Sequence, residues 1–281
     1  MGTFEEVQKQ YEKNKNAASG SKFASQEERM KKYFTTVLPK GVTSEERRIR
    51  ILPTKDGSSP FVEVYFHEIQ VDGKWLKLWD PKQEHLRSPL NEVKESLEAT
   101  GKESDKELSK SYRSRKLYIV KVIDRDHEQD GAKFWRFKHN SKQEGILDKI
   151  FPIFRNKGDI TDPVKGRDLI LSLALTTSGT GKQYTAINSI IPEDVGPLHT
   201  DPETAKKWVE DALVWSDVYS KKPVEYLDMV ANGETPKWDK DTNKWVNSST
   251  AEASVGGNSS ADTSLPPDIQ ENDDPDADLP F

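Results

Sequence analysis

Between Lys110 and Lys142 the sequence sets ten Lys and Arg side chains against four acids: Lys110, Arg113, Arg115, Lys116, Lys121, Arg125, Lys133, Arg136, Lys138 and Lys142. Tyr112, Tyr118, Phe134, Trp135 and Phe137 are interleaved with them. Cations neutralise phosphates and flat rings stack on bases, at ~1–3 kcal/mol per base, so this mixture suits a groove that follows a single nucleic-acid strand. The competing reading is an ordinary strand pair with one charged, solvated face. Residue types alternate along Lys133-Phe134-Trp135-Arg136-Phe137-Lys138, which divides them between the two faces of a strand. The sequence leaves open which face is wet.

A second constellation closes the chain. Asp273, Asp274, Asp276 and Asp278 precede Leu279, Pro280 and Phe281. A terminal ring fills an apolar pocket while the α-carboxylate and nearby acids meet basic groups; the bland alternative is a solubilising tail. Net charge is −6, yet eight acids and no base follow Lys244. Without those eight, the body carries 42 basic against 40 acidic residues, a charge asymmetry expected of a nucleic-acid binder with an acidic appendage.

Other chemistries find little support. The chain has no cysteine, which excludes disulfides, thiolate catalysis and a zinc site of the Cys-rich kind. Ser178-Gly179-Thr180-Gly181-Lys182-Gln183 lacks the spacing of a phosphate loop and reads as a hairpin turn. His67-Glu68 and Glu84-His85 have nothing to bring them together around a metal, and no Ser/His/Asp arrangement stands out. No secretory signal and no run of about 20 apolar residues is visible. The expectation is a non-secreted protein of the host cytoplasm with no membrane partner and no cofactor.

The elements that position these residues are mostly short strands. Phe4, Val7 and Tyr11 recur at helical spacing, and Ser25 with Glu28 forms a capping box. Strands follow at Arg48–Ile51, Phe61–Ile69, Trp75–Trp79, Lys116–Ile123, Lys133–Lys138, Leu169–Leu175 and Tyr184–Ile191. Helices are expected within 83–111 and over Leu147–Phe154. Asp201-Pro202 opens another, with Ala205, Trp208, Ala212, Trp215 and Tyr219 down one side as a packing stripe. Trp238 and Trp245 flank a hairpin turn, and the chain becomes Ser-, Gly- and Asn-rich after Asn247.

Several short stretches keep a common order: Arg50-Ile51-Leu52-Pro53-Thr54-Lys55, Pro60-Phe61, Asp72-Gly73-Lys74-Trp75, Ile119 to Asp124, Lys133 to Phe137, Gly166 to Leu171, and Gln183 to Asn188 before Ile191-Pro192. Together they resemble the single-stranded DNA-binding, helix-destabilising proteins of T-even bacteriophages, from about Phe4 to Val230. The end of the chain is similar to the acidic tip of bacterial single-stranded DNA-binding proteins. The phage resemblance implies an oligonucleotide-binding (OB) barrel, an N-terminal cooperativity arm and an acidic C-terminal region for replication partners. In that family a His and three Cys hold zinc. His67 falls on the His position, but the Cys region reads His85-Leu86-Arg87-Ser88-Pro89-Leu90 here, so zinc is predicted to be lost, leaving Trp75, Trp79, Leu90 and Val93 to hold the insert by packing. By the same resemblance the family's basic arm is expected to be missing here, because Phe4 already falls at the helix that follows it.

The resulting expectation is a mainly β protein with added helices (α+β). An N-terminal helical arm (1–36) would lead to an OB-fold core (37–200) with an inserted subdomain at 80–111. A helical and hairpin extension (201–246) and a disordered acidic tail (247–281) would follow. Phosphates are assigned to Arg48, Arg50, Arg113, Arg115, Lys116, Lys121, Arg136 and Lys138, and base stacking to Tyr112, Tyr118, Trp135 and Phe137. The expected function is sequence-independent binding and protection of single-stranded DNA in phage replication and recombination, without catalysis. The tail would recruit a polymerase, a helicase or primase, or a recombinase. The rival readings are an RNA-binding regulator and a nucleic-acid enzyme such as a nuclease.

Overall fold

The computed structural model describes residues 28, 31–139, 144–179, 181, 183–219, 221–239 and 242–248. Among them run strands β1 (Tyr33–Phe34), β2 (Ser44–Ile51), β3 (Val62–Val71), β4 (Lys74–Trp79), β5 (Ser114–Asp124), β6 (Ala132–Lys138), β7 (Arg167–Thr177), β8 (Gln183–Val195), β9 (Pro236–Asp239) and β10 (Lys244–Asn247). The helices are α1 (Pro89–Ala99), α2 (Glu103–Ser109), α3 (Ile146–Lys157), α4 (Pro202–Val209), α5 (Trp215–Val218) and α6 (Val224–Ala231). The architecture is mixed α+β: β1–β8 belong to an eight-stranded mixed sheet, and β9 and β10 make a separate hairpin. The chain divides into two compact units, one drawn from 65–115 and the segment after Ser216, the other from the stretch before Val64 and 116–215.

In the second unit the strand order is β1-β6-β5-β2-β7-β8. Only the β1–β6 pairing along this path is parallel. One face of the sheet is apolar because β-branched and aromatic residues recur with period two. Ile49 and Ile51 of β2, Tyr118, Val120 and Val122 of β5, Trp135 and Phe137 of β6, and Leu169, Leu171 and Leu173 of β7 meet there, with Ile150 and Ile153 of α3 in the same cluster. α3 starts after Gly145, whose N–H donates to Asp148 at 2.8 Å. A smaller cluster of Leu52, Ile123, Ala132, Leu198 and Trp208 lies apart from this core.

The first unit is built on the β3–β4 hairpin. Its two-residue turn needs positive φ at both central positions, which Asp72 (50°) and Gly73 (77°) supply. Ile69 and Leu78 pack with Leu90 of α1 and Tyr226, Leu227 and Val230 of α6. Pro89 occupies the first turn of α1, where its missing N–H costs nothing. The expected hairpin between Trp238 and Trp245 is present: the two residues pair directly, and their rings meet edge to face at 5.4 Å.

The helix opened by Asp201-Pro202 is shorter than its spacing predicts. Asp201 caps it by accepting from the N–H groups of Glu203 and Thr204. It stops at Val209, however, and Trp215 begins a separate turn of helix. The stripe therefore breaks: Ala212 is exposed, while Trp208, Trp215 and Tyr219 are each buried. The cause lies in Asp211, whose carboxylate accepts from the N–H of Leu213 at 2.6 Å, a local turn that competes with helical bonding.

Candidate nucleic-acid interface

The β5–β6 register decides the face left open by the sequence. Tyr118 sits opposite Phe137 and Val120 opposite Trp135, whereas Ile119 faces Arg136 and Lys121 faces Phe134. Tyr118, Trp135 and Phe137 thus share the core face, and Lys121, Arg136 and Lys138 share the outer one. Trp135 is 1% exposed, with Phe34 at 5.9 Å and Phe137 at 4.8 Å between ring centroids. Its assignment to base stacking, and that of the buried Phe137, is corrected: both rings hold the core. Tyr118 is also buried, its hydroxyl 3.4 Å from Glu63.

The cations divide as well. On β2, Ile49 and Ile51 enter the core, so Arg48 and Arg50 project to the opposite side. Arg48 is half exposed, 3.6 Å from Glu193. Arg50 is 1% exposed, and its guanidinium donates to Asp168 (3.1 Å) and to the carbonyls of Asp162 (2.8 Å) and Gly196 (3.0 Å). It is a structural clamp, not a phosphate ligand, which corrects that assignment. Burial lowers its pKa, and Asp168 opposes the shift. Arg125 joins the same carboxylate at 2.7 and 2.8 Å, and burial of that guanidinium is outweighed by its bonds to Asp168, which raise its pKa. Lys133, on the core side of β6, is likewise held by Asp124 (2.9 Å) and Asp130 (3.0 Å).

On the outer side of β6, β5 and β2 lies a row of Lys138, Arg136, Lys121 and Arg48, but Arg136 is only 7% exposed, which corrects its assignment to a phosphate, while the other three reach solvent. Arg136 lies 5.9 Å from the Trp215 ring. Trp215 also meets Phe134 at 5.7 Å and Tyr33 at 5.3 Å. The Lys121 ammonium is 5.7 Å from the Phe134 ring. Trp215, and Lys55, whose ammonium donates to the Glu210 carbonyl at 2.8 Å, are not assigned to this site by the sequence, which names Phe134 there without giving it a role. For Phe134 the signal was available, because it has the same strand parity as Arg136 and Lys138. Lys116, at the core-side edge of β5, pairs with Glu63 at 2.9 Å, and that contact holds the Glu63 carboxyl below the usual carboxylate range.

Tyr112, Arg113 and Arg115 belong to the first unit. Arg113 is exposed, Arg115 pairs with Glu68 at 3.2 Å, and Tyr112 packs beside the cluster of Ile69, Leu78 and Leu90. The Tyr112 carbonyl lies 2.7 Å from Nδ1 of the fully buried His67. A carbonyl only accepts, so Nδ1 carries a proton. Nε2 lies 3.5 Å from Asp80. The Asp80 carboxylate also accepts from Ser88 Oγ (2.8 Å), Asn91 Nδ2 (2.9 and 3.0 Å) and the Lys82 N–H (3.0 Å). Burial alone would raise its pKa, but these hydrogen bonds outweigh burial and hold it well below the usual carboxylate range. Zinc does not fit these residues: His67 is the sole soft donor here, and the described residues contain no cluster of three or more metal-type ligands. Ser88, from the stretch His85–Leu90, and Asn91 bond Asp80 instead. The expected packing of the insert is also revised, since Leu90 is fully buried but Trp75 is 53% exposed.

The acidic tail residues Asp273, Asp274, Asp276, Asp278, Leu279, Pro280 and Phe281 lie outside the described residues, as does the N-terminal segment through 27. No helix among the described residues is long and apolar enough to cross a membrane. A family model described as gp32 DNA binding protein like matches residues 44–221, a span that contains the outer-face cations, the Arg50 clamp and the Asp80 network. No curated protein matches the chain.

Proposed function

This chain belongs to the gp32-like DNA-binding protein family, non-catalytic single-stranded DNA-binding proteins of phage, and on that premise we propose that it holds its strand, without sequence preference, along the outer face of β6, β5 and β2. The observation that carries this reading is the row of solvent-reaching Lys138, Lys121 and Arg48 on adjacent strands. Backbone contacts carry no sequence information, and affinity should fall with salt at a log–log slope of about −0.7 per phosphate contacted. Lys116 at the edge of β5, and Arg113 and Arg115 on the first unit, are further phosphate candidates. Tyr112 is retained as a ring for stacking. Binding to single strands but not duplex shifts the melting equilibrium by mass action. We take the sheet as the wall of an OB-type barrel, with domain limits as the sequence suggests.

The tail completes the proposal. Its acids imitate a polyanion and compete for the same cations when DNA is absent. When DNA displaces it, Leu279, Pro280 and Phe281 become available to a polymerase, a helicase or primase, or a recombinase. The test compares oligo-dT binding by the full chain and by a chain stopped after Pro267, with RNA of equal sequence as competitor. Tighter binding by the shortened chain, with DNA preferred, supports the reading. Equal affinities would remove tail competition, and preference for RNA would overturn the DNA assignment.

A further inference from the structure

We propose that the segment Glu210–Val214, between α4 and α5, is a built-in competitor that occupies phosphate positions on the outer face of the sheet. The inference rests on the interface proposed above and adds a regulatory element to it. Lys55 donates to the Glu210 carbonyl at 2.8 Å. Lys121 donates to the Asp211 carbonyl at 2.9 Å and lies 3.7 Å from its carboxylate. Carbonyl and carboxylate oxygens thus present to two lysines the same chemistry as a phosphodiester oxygen, an anionic or dipolar acceptor for an ammonium.

The segment is built to lift without unfolding its neighbours. At one end Trp208 is buried with Leu52, Ile123, Ala132 and Leu198. At the other, Trp215 is lodged against Tyr33 and Phe134. Between these anchors Glu210 and Ala212 are exposed and Val214 is 52% exposed, so Leu213, half-buried, is the one apolar side chain the stretch partly encloses. The contacts of Lys55 and Lys121 with it are charge–dipole and charge–charge contacts, which a strand of phosphates can replace. Because both ends stay anchored, the segment competes as an intramolecular ligand at high effective concentration. Displacement releases the ammonium groups of Lys55, already exposed, and Lys121, partly buried, together.

Asp211→Asn tests this directly, since it removes the charge but keeps an oxygen for the Leu213 N–H. The variant should bind oligo-dT about two- to fivefold more tightly at low salt, the range expected for a partly exposed charge pair. That gain should vanish in a Lys121→Ala background. The chain has no thiol of its own, so a fluorophore on Ala212→Cys provides an independent readout: oligo-dT should lower its anisotropy as the segment is released. If wild-type protein binds oligo-dT but Asp211→Asn gains nothing and the label stays immobile, the segment is only a structural cover and the proposal is overturned. If neither protein binds oligo-dT, the interface itself has failed, and the competitor with it. Should Asp211→Asn not fold, the labelled chain decides alone.

Discussion

Trp135 and Arg136 are neighbours on β6 and lie on opposite sides of the sheet, Trp135 against Phe34 and Phe137 in the core and Arg136 beside Trp215 on the outer face. Residues that read as one basic-aromatic motif therefore have two roles. The Trp135 and Phe137 rings fill the core, and on the other side Arg136 is packed beside Trp215 while Lys138 reaches solvent. A strand does this wherever apolar and basic residues alternate.

Trp135→Ala should consequently behave as a core deletion. Removing a fully buried indole costs about 3–5 kcal/mol, read as a lowered urea midpoint. Protein that remains folded should keep most of its oligo-dT affinity. A large loss of affinity at unchanged stability would assign the ring to base stacking instead.

Gly166→Ala tests the Arg50 clamp. A Cβ at this position would collide with the Arg50 guanidinium and with the carbonyls of Ile160 and Asp162. Overpacking of this kind costs about 1–3 kcal/mol, and displacing Arg50 from Asp168 and its two carbonyls adds to that. The expected result is a marked drop in melting temperature. A variant as stable as wild type would show that Arg50 has room to move.

The Asp80 network predicts a pH dependence. Its folded pKa is depressed, so its contribution is present above the unfolded value of about 3.9 and is lost as pH falls below it towards the folded value. Asp80→Ala, which leaves Ser88, Asn91 and the Lys82 N–H without their shared acceptor, should cost about 1–3 kcal/mol at pH 7. The gap between variant and wild type should narrow in acid, as followed by urea titrations from pH 7 to pH 2. A constant gap would contradict the assignment.

Because Asp80 is bound by Ser88, Asn91 and the Lys82 N–H and the described residues hold no cluster of metal-type ligands, a chelator should leave the melting temperature unchanged. A fall on chelation, reversed by added zinc, would contradict this.

Much of the fold is legible in the sequence because its signals are local. Alternation marks β2, β5 and β6, Asp72-Gly73 marks the β3–β4 hairpin, and Asp201-Pro202 marks the start of α4. What is not legible depends on distant partners. Arg48 and Arg50 have the same parity and flank the same residue, yet one is half exposed and the other enclosed. Asp168, 118 residues further on, makes the difference. The end of α4 is hidden for a related reason: spacing from Ala205 to Tyr219 satisfies a helix, but Asp211 caps its own turn and its carbonyl is bound by Lys121. Strand parity alone would have separated Trp135 and Phe137 from Arg136 and Lys138, but not identified the buried face.

The central claim, that single-stranded DNA lies on the outer face of β6, β5 and β2, is tested most directly by oligo-dT affinity as a function of salt for wild type, Arg48→Ala and Lys138→Ala. Each substitution should weaken binding and lower the salt slope by about 0.7, one phosphate contact each, without changing the urea midpoint. If wild type binds with a steep salt slope and both variants keep the same slope and affinity, the DNA lies elsewhere on the protein.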